Sequence, residues 1–176
     1  MHGDVQPHVR DVARALPCGM RTRVTLLAIA FSPFALGAQP TRHCVDAHQF
    51  LTTSRGMAAE VERDTVDDWR TGQRVVGCRV TAAGLTRDGV KRAAELLYER
   101  LRTNGWTRTP DPRDAPNEAS LRFRKAGSDC LFNVYSDGLL MTEAEGRVSE
   151  ARIPGPGEER FGVLAMCMPA MPAKPR

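Results

Sequence analysis

The sequence predicts an α+β fold, in which an antiparallel sheet of four to six strands carries one main amphipathic helix on one face and a short N-terminal helix. Three observations predict it. One long segment has apolar residues at helical spacing. Several short segments alternate apolar and polar residues, as half-buried strands do. The length of 176 residues, with 41% hydrophobic and 26% charged residues, is typical of one globular domain.

The first elements are a short helix and a β-hairpin. Four apolar or small positions recur at helical spacing before Ser54 and predict the helix: Cys44, Ala47, His48 and Leu51. Strands are predicted over residues 57–66 and 74–82, because the segment between them is rich in Asp and Gly. In the second strand the period of two places Cys78 on the apolar face, with Val76 and Val80.

The main helix is the clearest element. Thr86 or Asp88 can cap its N-terminus, and Asn104 with Gly105 supplies the expected end. Its apolar stripe comprises Val90, Ala93, Ala94, Leu97 and Leu101.

The second half of the chain predicts four strands. One begins at Trp106, and a proline-containing loop over residues 110–118 separates it from the strand at 120–125. A turn over 126–129 leads to a strand that places Cys130 with Phe132 and Val134 on one face. The polar segment 136–160 predicts a long surface loop, and alternation from 161 to 167 predicts a last strand with Cys167 facing inward. The predicted order is α-β-β-α-β-β-β-β.

The N-terminal region has the three-part layout of a secretory signal peptide over residues 20–38. Arg21 and Arg23 precede an apolar run over residues 24–36, and the small residues Gly37 and Ala38 follow. Residues 1–19 fit no part of such a leader, so translation starts either at Met1 or at Met20. The predicted organisation is therefore an extension at 1–19, a signal peptide at 20–38, one globular domain at 39–168 and a proline-rich tail at 169–176. After cleavage no stable membrane span is expected.

The charge pattern does not favour nucleic-acid binding. Removal of residues 1–38 would leave 21 Lys and Arg against 19 Asp and Glu, so the excess of positive charge is small. The basic residues are also mixed with acids, as where Arg122 and Arg124 lie near Asp129. The charge pattern therefore predicts a solvated surface. The signal-peptide pattern predicts a location in the periplasm or outside the cell.

The cysteine count predicts two disulfides. Cleavage would leave Cys44, Cys78, Cys130 and Cys167, an even number in an oxidising compartment, with three possible pairings. From their two terminal and two central positions, we predict bonds between Cys78 and Cys130 and between Cys44 and Cys167.

Three short motifs carry a family resemblance. They are Gly77-Cys78, a helix closed by Asn104-Gly105-Trp106, and a strand that opens with Cys130. This succession resembles a pattern of small exported bacterial proteins of uncharacterised function and covers roughly residues 74–135. The resemblance implies export and a compact cysteine-containing fold, and it implies no catalytic residue.

No catalytic residues are predicted. Nucleophilic hydrolysis needs a base near an exposed Ser or Cys, yet His43 and His48, both at the start of the expected mature chain, are its two histidines. No cofactor is expected. The predicted function is a non-enzymatic module that binds another protein or a ligand of the cell envelope.

The alternative function is binding of copper or another soft metal. Thioether and thiolate ligands favour Cu(I), and imidazoles could join them if the two ends of the mature chain meet. The candidate ligands are Met166, Cys167, Met168, Met171, His43 and His48, with Cys44 next to His43. A structural disulfide at Cys167 would remove its thiolate from this set.

Overall fold

A computed structural model describes residues 40–68, 71–109 and 120–170 of the chain. The predicted extension and signal peptide, the loop over 110–118, part of the first hairpin turn and the end of the proline-rich tail lie outside these ranges. Within the described part of the chain, no helix is both long and apolar enough to cross a membrane.

The described residues form helices and strands in the α+β arrangement that the sequence predicts. The N-terminal segment is a 3-10 turn at Pro40–Cys44, helix α1 at Val45–Gln49 and a π-helical turn at Phe50–Ser54. Two longer helices are α2 at Val90–Thr103 and α3 at Glu143–Glu150. The strands are β1 at Ala58–Asp68, β2 at Gln73–Thr86, β3 at Thr107–Arg108, β4 at Ser120–Lys125, β5 at Ser128–Ser136 and β6 at Glu159–Pro169.

The strands form one antiparallel sheet in the order β1-β2-β6-β5-β4-β3. The last strand of the chain therefore lies in the middle of the sheet. It pairs with β2 of the first hairpin on one side and with β5 on the other. This central position gives β6 long-range pairing on both sides and joins the two halves of the chain.

One face of the sheet, here called the core face, packs against α2 and the N-terminal helical segment. Ala93, Leu97 and Leu101 of the predicted stripe are buried there, and the Trp106 ring meets the Phe132 ring edge-on at 5.3 Å between centroids. The helix ends at Thr103 with Asn104 as its C-cap, at the end that the sequence predicts. The predicted N-caps, Thr86 and Asp88, are wrong, because the N-cap of α2 is Gly89, whose φ of +85° favours glycine.

The prediction of a long loop over 136–160 is wrong in its central part, because α3 lies within it. Thr142 caps this helix by accepting a hydrogen bond from the backbone N–H of Glu145. The pattern Thr-x-x-Glu is the signature of a capping box and was readable in the sequence. Helix α3 packs on the opposite face of the sheet from α2, where Arg147 forms a bidentate ion pair with Glu60 of β1.

The predicted cysteine pairing is wrong, although the four cysteines among the described residues all form disulfides. Cys44 is bonded to Cys78, and Cys130 is bonded to Cys167. Strand β6 separates β2 from β5, so Cys78 and Cys130 are two strand spacings apart, roughly 9.6 Å. A disulfide requires Cα atoms within about 7 Å. Cys130 and Cys167 instead face each other on neighbouring strands, with Cα atoms 4.1 Å apart.

Candidate functional site

An apolar groove lies on the face of the sheet opposite α2, which is also the face that α3 packs against. Its volume is about 210 Å³, and we call it the Leu139 groove. Leu139 and Leu140 form its outer wall, and Leu164 of β6 with Val134 and Tyr135 of β5 also line it. Ser120 of β4 and Asn133 of β5 complete the lining.

The two polar residues of the groove bind each other. The hydroxyl of Ser120 donates a hydrogen bond to the side-chain oxygen of Asn133, its register partner on the next strand. None of the lining residues that the structure describes carries a charge. The groove can therefore accept an apolar group without leaving the hydroxyl of Ser120 unpaired.

A polar network fixes the chain on the N-terminal side of Leu139. The carboxylate of Asp137 accepts hydrogen bonds from Arg160 of β6 and from Ser149 of α3, each at 2.7 Å. The hydrogen bond from Arg160 is the main cause that lowers the pKa of Asp137. Arg160 also donates to the backbone oxygens of Ser149 and Arg152, so one guanidinium joins the turn, α3 and β6.

A second contact fixes the chain on the C-terminal side of Leu140. The backbone N–H of Met141 donates to the buried carboxylate of Glu145 at 2.7 Å, and Met141 has a φ of +55°, which is uncommon for a residue other than glycine. Burial, with the nearby carboxylate of Glu145, raises the pKa of Tyr135 in the groove wall above its ordinary value. The segment 139–141 is thus held between two sets of buried or half-buried contacts.

Two large apolar side chains on this segment remain in solvent. Leu139 is 67% exposed and Met141 is 87% exposed. A rigid segment that displays apolar side chains beside an apolar groove is typical of a binding surface. Sequence reasoning missed this site, although the run Leu139-Leu140-Met141 stands out in an otherwise polar segment.

The candidate soft-metal ligands do not gather into one site within the described residues. Cys167 forms a disulfide and so offers no thiolate. The side chains of Met166 and Met168 lie on the face of β6 opposite Cys167, and Met168 is fully buried. His43 does lie close to Cys130, whose Sγ is 3.8 Å from the backbone oxygen of His43, and His48 lies on α1. Met171 lies outside the described residues. No group of three or more His, Cys, Asp or Glu in the described ranges is placed to hold a metal.

The structure pairs His43 with Ser128, which the sequence did not predict. The Nδ1 atom of His43 lies 2.8 Å from the Ser128 hydroxyl, and both residues are buried. Arg42 donates to the Nε2 atom of His43, and because Arg has no acceptor, Nε2 carries no proton. Nδ1 therefore donates to Ser128. This direction is opposite to that of a general base acting on a serine, so the pair has a structural role as arranged.

We expect this pair to make stability depend on pH. Burial, and secondarily the charge of Arg42, lower the pKa of His43 from its ordinary 6.5. The unfolded chain then binds the proton more readily than the folded protein does. The stabilisation is therefore complete above about pH 6.5 and is lost as the pH falls through the lowered pKa of the folded state.

Urea unfolding at about pH 7.5 and about pH 5.5 measures this effect. The loss of unfolding free energy between the two pH values should be smaller in His43→Gln than in the wild type. His48→Gln keeps His43 and should behave as the wild type does. An equal loss in all three proteins would contradict the assignment to His43.

A second cavity, of about 150 Å³, lies between the N-terminal helical segment and the end of α2. Most of its lining is polar, including Asp46, Gln49, Thr53 and Asn104. Lys125 in its wall already donates to the backbone oxygen of Asn104 at 3.1 Å and lies 3.8 Å from Asp46. A ligand here would have to displace contacts within the protein, so the Leu139 groove is the better candidate.

Comparisons with known proteins do not add to this geometry. No protein-family model, curated protein or solved structure matches the chain.

Proposed function

We propose that this chain is an exported, non-enzymatic binding module of the bacterial cell envelope, and that its contact surface is the Leu139 groove with the adjoining Leu139 and Met141 side chains. The observation that carries the proposal is the exposure of two large apolar side chains on a segment that is fixed on both sides. Solvent contact with such side chains is unfavourable, and a partner would remove it.

Export is supported by two independent features. The signal-peptide pattern over residues 20–38 is one, and the two disulfides, which fit an oxidising compartment, are the other. The resemblance of the Gly77-Cys78, Asn104-Gly105-Trp106 and Cys130 motifs to small exported bacterial proteins agrees with this location.

Photo-crosslinking tests the binding surface. A benzoylphenylalanine residue replaces Met141 in the full chain, expressed in a bacterial host with an intact envelope. The matched control replaces Ile153, which is 82% exposed but lies beyond the other end of α3. We expect discrete crosslinked species from position 141 and none from position 153. The same products at both positions, or none at either, would contradict the proposed surface.

A further inference from the structure

Three cysteines stand in one row across the middle of the sheet. Cys167 of β6 lies opposite Cys78 in the β2–β6 register and opposite Cys130 in the β5–β6 register. All three side chains are on the core face and fully buried. The Sγ atom of Cys78 is 3.9 Å from the backbone oxygen of Cys167. Cys167 is therefore bonded to one register neighbour and in contact with the other.

The register allows a second disulfide at Cys167. Directly opposed residues of antiparallel strands have Cα atoms about 4.5–5.5 Å apart, and disulfides form at Cα separations of about 4.4–6.8 Å. Cys78 and Cys167 are directly opposed, so a rotation of their side chains can join them. Cys78 and Cys130 are separated by the whole of β6. Cys167 is thus an alternative partner for Cys78, and Cys130 is not.

One disulfide must open before the other can be reached. The 3-10 turn that ends at Cys44 lies over both bonds. Its Thr41 backbone oxygen is 3.7 Å from the Sγ atom of Cys78, and its His43 backbone oxygen is 3.8 Å from the Sγ atom of Cys130. The Cys44–Cys78 bond ties this turn to β2, so the turn cannot lift away until that bond is broken. Reduction therefore begins at Cys44–Cys78.

We propose that these four cysteines form a disulfide relay, in which reduction of Cys44–Cys78 moves the second bond from Cys130–Cys167 to Cys78–Cys167. A dithiol transfers two electrons and two protons to Cys44–Cys78 and is itself oxidised to a disulfide. The Cys78 thiolate then attacks the Sγ atom of Cys167, and the Cys130–Cys167 bond breaks. Cys130 leaves as a thiolate and takes up the proton that Cys78 gave up. The product has free thiols at Cys44 and Cys130.

The relay removes the covalent tie of the N-terminal helical segment. Once Cys78 is bonded to Cys167, Cys44 has lost its partner, and core packing and the hydrogen bond between His43 and Ser128 hold residues 40–54 on the sheet. The sheet itself stays cross-linked, because the new bond joins β2 to β6. The redox state of the compartment thus controls one element of the fold without opening the sheet. This device lies on the core face and goes beyond the proposed binding function.

Limited reduction tests the relay directly. All proteins carry Cys18→Ala, so that this thiol takes no part in exchange. The full chain is treated with substoichiometric dithiothreitol, its thiols are alkylated, and its peptides are mapped without further reduction. We expect label on Cys44 and Cys130 and a disulfide between Cys78 and Cys167. Label on Cys44 together with Cys78 would contradict the exchange step, and label on Cys130 together with Cys167 would contradict the order of opening.

Single-cysteine variants start the exchange without a reductant. Cys44→Ala leaves the Cys78 thiol beside Cys167, and Cys130→Ala leaves the Cys167 thiol beside Cys78. At about pH 8.5, where a cysteine of ordinary pKa is half ionised, peptide mapping should find the Cys78–Cys167 disulfide in each variant. Either variant suffices if the other does not fold. Absence of this disulfide from both would overturn the relay.

The matched control moves the thiol by two positions along β2. The variant Cys44→Ala/Cys78→Ala/Val80→Cys keeps the thiol on the core face but places it opposite Ala165. Its Cα atom is then diagonal to that of Cys167, at about 7–8 Å, beyond the limit of about 7 Å for a disulfide. This variant should keep Cys130–Cys167. Exchange as extensive as in Cys44→Ala would show that the register does not direct the reaction.

Exchange through unfolding gives a different product. In an unfolded chain Cys78 meets Cys130 more readily than it meets Cys167, because the connecting loop is shorter. In the folded sheet β6 keeps Cys78 and Cys130 apart. We therefore expect a Cys78–Cys130 disulfide in Cys44→Ala only in concentrated urea. Its formation in buffer alone would reject exchange within the folded sheet.

Discussion

Removal of either disulfide is expected to lower the free energy of unfolding by about 4 kcal/mol. Cys44–Cys78 closes a loop with a sequence separation of 34, and Cys130–Cys167 closes one of 37. In the chain-entropy estimate, loops of this length destabilise the unfolded state by about 4 kcal/mol. Domains of this size are stable by about 5–15 kcal/mol in total. Either loss is therefore a large fraction of the stability.

Two double variants measure this effect, Cys44→Ala/Cys78→Ala and Cys130→Ala/Cys167→Ala, by urea unfolding without reductant. Met166→Leu is the matched control, because it changes the neighbour of Cys167 on the other face of β6 at similar volume, and it should cost less than about 1.5 kcal/mol. If both double variants unfolded at the same urea concentration as the wild type, the two disulfides would be contradicted. Peptide mapping should join Cys44 to Cys78 and Cys130 to Cys167, and a peptide joining Cys78 to Cys130 would refute the strand order as well.

Gly162→Ala is expected to destabilise the protein by about 3 kcal/mol, at the upper end of the range for overpacking. Gly162 lies opposite Tyr135 in the β5–β6 register, and a Cβ atom there would overlap the Tyr135 ring. The ring is buried, and Glu145 of α3 lies beside its hydroxyl. It therefore has little room to move.

Gly146→Ala is the matched control for Gly162→Ala. Gly146 is exposed within α3, and a Cβ atom at this position meets nothing within 4 Å. We expect this change to stabilise the protein by about 0.5–1 kcal/mol, because glycine is unfavourable inside a helix. The double variant Tyr135→Ala/Gly162→Ala should lose less stability than the sum of its single changes, since the overlap is removed. Strict additivity in this cycle would show that the close approach of Gly162 to Tyr135 is not the cause.

The Leu139 groove could be predicted only in part. Its apolar wall was visible as Leu139-Leu140-Met141 within a polar segment, and the helix that fixes this wall was visible as Thr142-x-x-Glu145. The other wall comes from β4, β5 and β6, which are distant in sequence. No local pattern indicates that Leu164 and Ser120 would lie near Leu139. The pairing of His43 with Ser128 was hidden for the same reason, because 85 positions separate the two residues.

The sequence by itself determined most of the elements and most of the side chains that they turn inward, although it did not predict α3. The apolar stripe of Leu97 and Leu101 predicts α2, and the alternation around Cys130 and Cys167 predicts two strands with their cysteines facing the core. These predictions are correct because the period of a helix or a strand can be read from the residues of that one segment. Val76 departs from its pattern, because it lies near the end of the hairpin and is mostly exposed.

The tertiary structure alone decided where β6 lies in the sheet. Alternation shows which face of a strand is buried, but it carries no information on the strand that lies alongside it. Insertion of β6 between β2 and β5 places Cys167 next to Cys130 and separates Cys130 from Cys78. The same insertion brings Leu164 to the groove. The cysteine pairing and the candidate site therefore depend on one choice of strand order, which is fixed by the packing of the whole sheet.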